Sequence, residues 1–300
     1  MNTPVWNVPP RYLAVCEAIE QLKAEHPFLK VFPIGASVLG REITALSIGN
    51  PMSATVFVGA THGLEWLTTS LLLRFCQEVL EGLKTGAKVS EIDLRKALRT
   101  RSLVIVPCLN PDGVEIALGG VETAGELAGC VQRLSGGNNL VWQANANGVD
   151  LNHNFDAGWK QLKELEIQSG ITGPGPTRYG GTHPHSEPET LAIAGFCMTY
   201  QPRTLYAFHS QGEEIYYRYG DKTPLRSQLM AQILASSSGY KLSTPEAIAS
   251  HGGLKDWYIE RFRRPGFTIE VGKGKNPLPL EQLERIYPRI QEMLILATLM

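Results

Sequence analysis

The chain has 300 residues, a net charge of -1 and a pI near 6.7, which allows one large domain or two small ones with ample core either way. So balanced a charge leaves no electrostatic footprint for nucleic acid or an anionic membrane, and no apolar stretch approaches the roughly 20 residues of a membrane span. Five scattered cysteines, Cys16, Cys76, Cys108, Cys130 and Cys197, with no C-x-x-C pair, argue against a disulfide scaffold and fit a reduced compartment.

Residues 1–10 have neither a basic opening nor an apolar h-region, so the expected location is the cytoplasm. Helical spacing of apolar residues begins at 11–25, and 42–48 alternates like a half-buried strand. Residues 54–60 and 102–107 are short apolar runs of the buried-strand type, with a long helix predicted between them over 64–83. The second half repeats the theme: helix 188–200, strand 204–209, helix 224–238, strand 267–271 and a terminal helix from 280 onward. Such alternation implies a mostly parallel sheet with helices on both faces. Residues 119–148 and 169–184 are polar and Gly-rich and read as long loops, a feature often tied to function. Without repeats or linker-like segments, a single α/β domain over 1–300 is expected.

In open α/β sheets ligands gather beyond the carboxyl ends of the strands. His62, Asn110, His209 and Glu270 each fall at or just past such an end, which places all four at one rim. His62 and Glu65 form an H-x-x-E pair; alone, this spacing is as well explained by a capping or surface pair. Joined by His209, it supplies two imidazoles and a carboxylate, the ligand set of a catalytic Zn2+ that keeps one position open. Glu270, ending an apolar run, suits a general base; its bland alternative is a salt bridge with Lys273 or Lys275.

Asn110-Pro-Asp-Gly113, Gly148-Val-Asp-Leu-Asn-His-Asn-Phe155, Ser186-Glu-Pro-Glu-Thr190, His251-Gly-Gly-Leu-Lys-Asp-Trp257 and the Glu270 strand follow in order. From about residue 30 onward, this set resembles the zinc metallocarboxypeptidases, the carboxypeptidase A-like family. The resemblance implies a twisted eight-stranded mixed sheet flanked by helices and one zinc held by His62, Glu65 and His209. It implies that Asp150 orients a ligand histidine, where a plain Asx-turn is the alternative. It also implies that Glu270 takes a proton from water and passes it to the departing amine.

The departures are as informative. Where the family binds a terminal carboxylate with an Asn-Arg pair, this chain has Asn152 and His153, and a histidine lacks the permanent charge and fork of a guanidinium. The arginine that steadies the oxyanion appears as Gln143, so either Gln143 and zinc suffice for catalysis or a nearby cation such as Arg133 or Arg178 moves in. The family's mobile tyrosine aligns with Ile248, with His251, Tyr240 and Tyr258 as the nearest polar candidates. The position lining the pocket for the leaving residue is Lys255, whose ammonium, if buried, needs an anion from the substrate; the alternative is that it points into solvent or pairs with Asp256 or a neighbouring Glu.

Residues 150–156, 186–190, 209–216 and 272–277 are similar to the bacterial branch of γ-D-glutamyl-diamino-acid peptidases. That resemblance implies a small muropeptide substrate cut between γ-D-glutamate and meso-diaminopimelate, whose extra carboxylate and amine suit Lys255 and Glu213 or Glu214. A general carboxypeptidase, an acyl-amino-acid deacylase and a non-catalytic peptide-binding domain are the competing expectations.

Overall fold

The computed structural model describes residues 6–244 and 250–300. Within them lie eight strands: β1 (Lys30–Ala36), β2 (Glu42–Ile48), β3 (Thr55–Val58), β4 (Leu103–Val106), β5 (Thr204–His209), β6 (Glu214–Tyr216), β7 (Lys241–Leu242) and β8 (Gly266–Glu270). Ten α-helices accompany them: α1 (Tyr12–Glu25), α2 (Leu67–Thr85), α3 (Leu94–Ala97), α4 (Pro111–Gly119), α5 (Ala128–Ser135), α6 (Trp159–Gln168), α7 (Pro188–Tyr200), α8 (Arg226–Ser238), α9 (Leu254–Phe262) and α10 (Leu283–Leu299).

All eight strands form one sheet in the order β1-β2-β4-β3-β5-β8-β6-β7. Its centre, β4-β3-β5-β8, is parallel, and antiparallel pairs attach β2 on one side and β6 on the other. The sheet is therefore mixed, as the family resemblance implies, with four of its seven strand pairs parallel, as alternation alone suggests.

Central strands read as unbroken apolar runs because both their faces are covered. Along β3, Phe57 faces the core built from α1, α2, α8 and α10, whereas Val56 and Val58 face the one built from α7 and α9. The same alternation sends Tyr206 and Phe208 of β5 to the first core and Leu205 and Ala207 to the second. Because β3, β4, β5 and β8 run the same way, their carboxyl ends meet at one rim.

Two segments depart from the sequence reading. Residues 119–148 are not a plain loop: a 3-10 turn over Val121–Leu127, then α5, cover a small core around Ile116, Val131 and Trp142. By contrast, 169–184 carries no strand or helix, and it runs past the rim. No helix among the described residues is long and apolar enough to cross a membrane.

Candidate metal centre and active site

His62 follows β3 and opens a 3-10 turn, Gly63–Glu65, that leads into α2. The long helix thus begins at Leu67, three residues later than the apolar spacing suggests. The Thr68 hydroxyl locks the turn by donating to the Glu65 carbonyl at 2.8 Å and accepting the Ala60 N–H at 2.7 Å. Gly63 donates its N–H to the Gln143 carbonyl at 2.9 Å. A β-carbon on Gly63 would lie 2.3 Å from the Gly113 carbonyl oxygen, so the turn is pressed against the start of α4.

Asn110, capping α4, ties these pieces together. Its Oδ1 accepts the Gly113 N–H at 2.8 Å, while its amide donates to the carbonyls of Thr61, Gln143 and Ala144 at 3.1–3.3 Å. Placed at the rim by the sequence pattern, Asn110 acts as a fastener of three segments.

The turn brings Glu65 between two imidazoles. His62 Nδ1 lies 2.9 Å from Glu65 Oε1, His209 Nδ1 lies 2.9 Å from Glu65 Oε2, and the two Nδ1 atoms are 3.3 Å apart. On its far side, His62 Nε2 lies 3.0 Å from Asp150 Oδ1. A carboxylate only accepts, so Nε2 carries the hydrogen and donates it. The Nδ1 lone pair of His62 then points at the His209 ring and Glu65, and three electron-pair donors converge on one buried spot. That arrangement calls for a cation, and its N, N, O donor set fits Zn2+.

The carboxylates favour positive charge at this spot, whether a metal ion or a second ring proton on His62 supplies it. Burial by itself would lower the His62 pKa, but the carboxylates of Glu65 and Asp150 outweigh it and hold the imidazole well above its ordinary value. Burial would raise Glu65, and the two histidines instead pull it down to about 2. Asp150 is also held far below the usual carboxylate range, against its burial, by His62 and His153. It serves two purposes at once: Oδ1 also accepts the Asn152 N–H at 3.1 Å, an Asx-turn, and Oδ2 accepts the Arg178 N–H at 2.9 Å. The two readings of Asp150 are thus one structure.

Glu270 ends β8 directly opposite His209 in the parallel ladder. Burial and the nearby Glu65 carboxylate push its pKa well above normal, with His62 opposing in part. Lys273, a suggested salt-bridge partner, pairs with Glu213 at 2.8 Å instead.

A cavity of about 730 Å³ opens on this group, lined by His62, His209 and Glu270 together with Gln143, Asn152, His153 and Lys255. Gln143 Oε1 accepts from the Thr177 hydroxyl, leaving its amide hydrogens as the donors it can offer. Asn152 Oδ1 accepts the Leu254 N–H at 3.1 Å, and His153 Nδ1 donates to the Arg178 carbonyl at 2.9 Å. Lys255 is buried, ion-paired with Asp256, and donates to the Arg218 carbonyl at 2.8 Å. Its anion is therefore already present in the protein.

Other sequence candidates lie elsewhere. Arg133 is on α5 outside the cavity lining, whereas Arg178 is part of it. Tyr258 donates its hydroxyl to the Pro202 carbonyl at 2.7 Å in the core, Tyr240 is buried against Gly272, and His251 sits beside Gly158 and Tyr219. None of the three lines the cavity, and Ile248 lies outside the described residues. Glu213 is held by Lys273 and Arg289, and Glu214 contacts the Tyr216 hydroxyl; neither lines the cavity. Tyr216, Thr268, Thr177 and Ile171 do line it. Only their closeness to His209, Glu270 and the 169–184 loop could have pointed to them.

A model of the zinc carboxypeptidase family matches residues 15–293. The chain belongs to the zinc carboxypeptidase family. It is a zinc metallopeptidase, and the non-catalytic reading is set aside. This zinc carboxypeptidase is 35% identical to gamma-D-glutamyl-L-diamino acid endopeptidase 1 of Lysinibacillus sphaericus over 283 residues, covering 92% of the chain and 69% of that protein. With bovine carboxypeptidase B the identity is 26% over 297 residues, covering 92% of the chain and 66% of that protein. Among solved structures, bovine thrombin-activatable fibrinolysis inhibitor superposes with a TM-score of 0.75 at 19% identity, covering 98% and 97% of the two chains. Murein-tripeptide amidase MpaA from Escherichia coli O157 gives 0.54 at 22% identity, covering 90% of each. The two structures establish a shared fold.

Proposed function

We propose that this peptidase hydrolyses the γ-D-glutamyl–meso-diaminopimelate amide of murein peptides. His62, Glu65 and His209 hold its zinc, and Glu270 is the general base. The observation that carries the reading is the meeting of these four side chains at one rim, in a chain whose similarity to a γ-D-glutamyl-diamino-acid endopeptidase runs over nine-tenths of its length. When bound, zinc supplies Lewis acidity, polarising the scissile carbonyl and acidifying water.

Each surrounding residue then has a task. Asp150 fixes the His62 tautomer and so keeps a lone pair aimed at the metal position. Glu270 accepts the proton of the attacking water and hands it to the departing amine, turning a poor leaving group into a neutral one. Gln143 offers an N–H to the developing oxyanion. Asn152, His153 and the Lys255–Asp256 pair form the wall met by the leaving residue. The distal end of diaminopimelate is itself an ammonium and a carboxylate, complementary to a lysine beside an aspartate.

The test is to give the zinc-loaded protein L-Ala-γ-D-Glu-meso-diaminopimelate beside a blocked dipeptide with a hydrophobic C-terminus. Release of diaminopimelate, with the dipeptide a poor substrate, is expected. Preferential cleavage of the dipeptide would replace this reading with a general carboxypeptidase. In Glu270→Gln, turnover should fall by about 10²–10⁴-fold with one zinc still bound by elemental analysis; undiminished turnover would remove Glu270 from its role.

A further inference from the structure

One cation lining the cavity has no side-chain partner among the described residues. Lys255 is committed to Asp256 and the Arg218 carbonyl, and Asp150 and Glu270 are carboxyl groups. Arg178 also lines the cavity, and its guanidinium makes no hydrogen bond, ion pair or ring contact with any described residue. Its backbone, in contrast, is held at both ends: the N–H donates to Asp150 Oδ2 at 2.9 Å and the carbonyl accepts from His153 Nδ1 at 2.9 Å. The residue has φ = 68°, a left-handed conformation that a long side chain seldom adopts. Strain of this kind persists when its surroundings over-determine it, and it concentrates at binding sites. The neighbouring Thr177 donates to Gln143, so Arg178 stands beside both positions, 143 and 153, where the chain lacks an arginine.

We infer that Arg178 is a specificity-determining residue that binds a substrate carboxylate next to the scissile amide. The inference rests on the active-site reading above and adds to it the group that recognises the anion. A guanidinium offers a carboxylate two parallel hydrogen bonds, which neither Gln143 nor His153 can. Two carboxylates lie next to the scissile amide in the proposed substrate: the α-carboxylate of D-glutamate on the acyl side, left free because the bond runs through the γ-carbon, and, on the leaving side, the carboxylate of the diaminopimelate carbon that bears the scissile nitrogen.

The experiment compares zinc-loaded wild type, Arg178→Lys and Arg178→Asn on the free tripeptide and on the two mono-amides that block one or other of these carboxylates. Asparagine is the uncharged variant because it tolerates the left-handed backbone. In wild type, amidation of one carboxylate should cut kcat/KM by about 10- to 100-fold, chiefly through KM, and identify which carboxylate is bound. Arg178→Asn should lose a similar factor on the free acid and show no further penalty on that amide; Arg178→Lys should recover part of the loss. Equal losses by Arg178→Asn on all three peptides, or wild-type indifference to both amidations, would overturn the inference. Should wild type cleave none of the three, the muropeptide reading fails. Arg178 is then judged by the same comparison on a blocked dipeptide acid and its C-terminal amide, bound calorimetrically to zinc-loaded Glu270→Gln protein: equal affinity of the Arg178→Asn double variant for acid and amide supports it, and an undiminished preference for the acid overturns it.

Discussion

At the scale of single residues, the metal chemistry restricts identity so tightly that it shows through a bare sequence. Only a few residue types bind zinc with an open position, and the three proposed ligands, His62, Glu65 and His209, lie together. Asp150 shows the cost of disturbing what stands behind them. Asp150→Asn should weaken zinc binding by about 10–100-fold, read by competition with a chelator, while the fold survives because one amide oxygen can still accept. The Lys255–Asp256 pair changes the forecast for position 255. Removing the lysine leaves a buried carboxylate without its cation, so Lys255→Ala should destabilise by about 3–5 kcal/mol in urea unfolding, beyond any change in KM. A loss below about 1 kcal/mol would mean the pair is solvated in solution. The partnership is only one of several options in the sequence, because adjacency along a chain does not fix whether two side chains share a pocket.

At the scale of elements, the catalytic turn depends on glycine rather than on hydrogen bonds alone. With the Gly113 carbonyl 2.3 Å from where a Gly63 β-carbon would sit, Gly63→Ala must push the His62–Glu65 turn off α4. Overpacking of this sort costs about 1–3 kcal/mol, and we expect a lowered Tm together with weaker zinc retention; a variant with unchanged zinc affinity would show that the turn can shift without moving its ligands. Strands β3, β4, β5 and β8 were legible as apolar runs because both their faces are buried. Strand β1 was not, since Pro33 and Gly35 interrupt its alternation and the ladder slips between them. Helix α5 escaped notice because eight residues flanked by glycines carry too short a pattern. The 3-10 entry to α2 was hidden because Leu64 and Leu67 continue the helical spacing on either side of a turn with different geometry.

For the whole molecule, two stability effects follow. Three electron-pair donors facing one another gain from a cation, so zinc at 1,000 times its dissociation constant should stabilise the fold by about 4 kcal/mol, seen as a fall in Tm on chelation that zinc restores. The second concerns Glu189, at the start of α7 and fully buried, with Asp112 and Glu187 nearby. Burial outweighs the hydrogen bonds from Asn145 and Val38 and lifts its pKa to about 8. A raised acid binds its proton in the folded state while the unfolded chain has already released it, so stability declines as pH rises from about 4.5 to 8. In Glu189→Gln that decline should be smaller, and the difference in Tm between variant and wild type should shift in the variant's favour across this window. Parallel pH profiles would place the titration elsewhere.

The pairing of His209 with Glu270 across β5 and β8 has a last implication, for how such an enzyme can diversify. A one-residue slip would turn either side chain to the opposite face of the sheet, so the distance between the proposed ligand and the proposed base is part of the scaffold and tolerates no adjustment. Freedom to change diet is left to the lining supplied by segments around Gln143, Arg178 and Lys255, which hang from the rim without sharing its hydrogen-bond ladder. Anyone retooling the enzyme for a different peptide has those three segments to recut and a reaction centre that will not move in response.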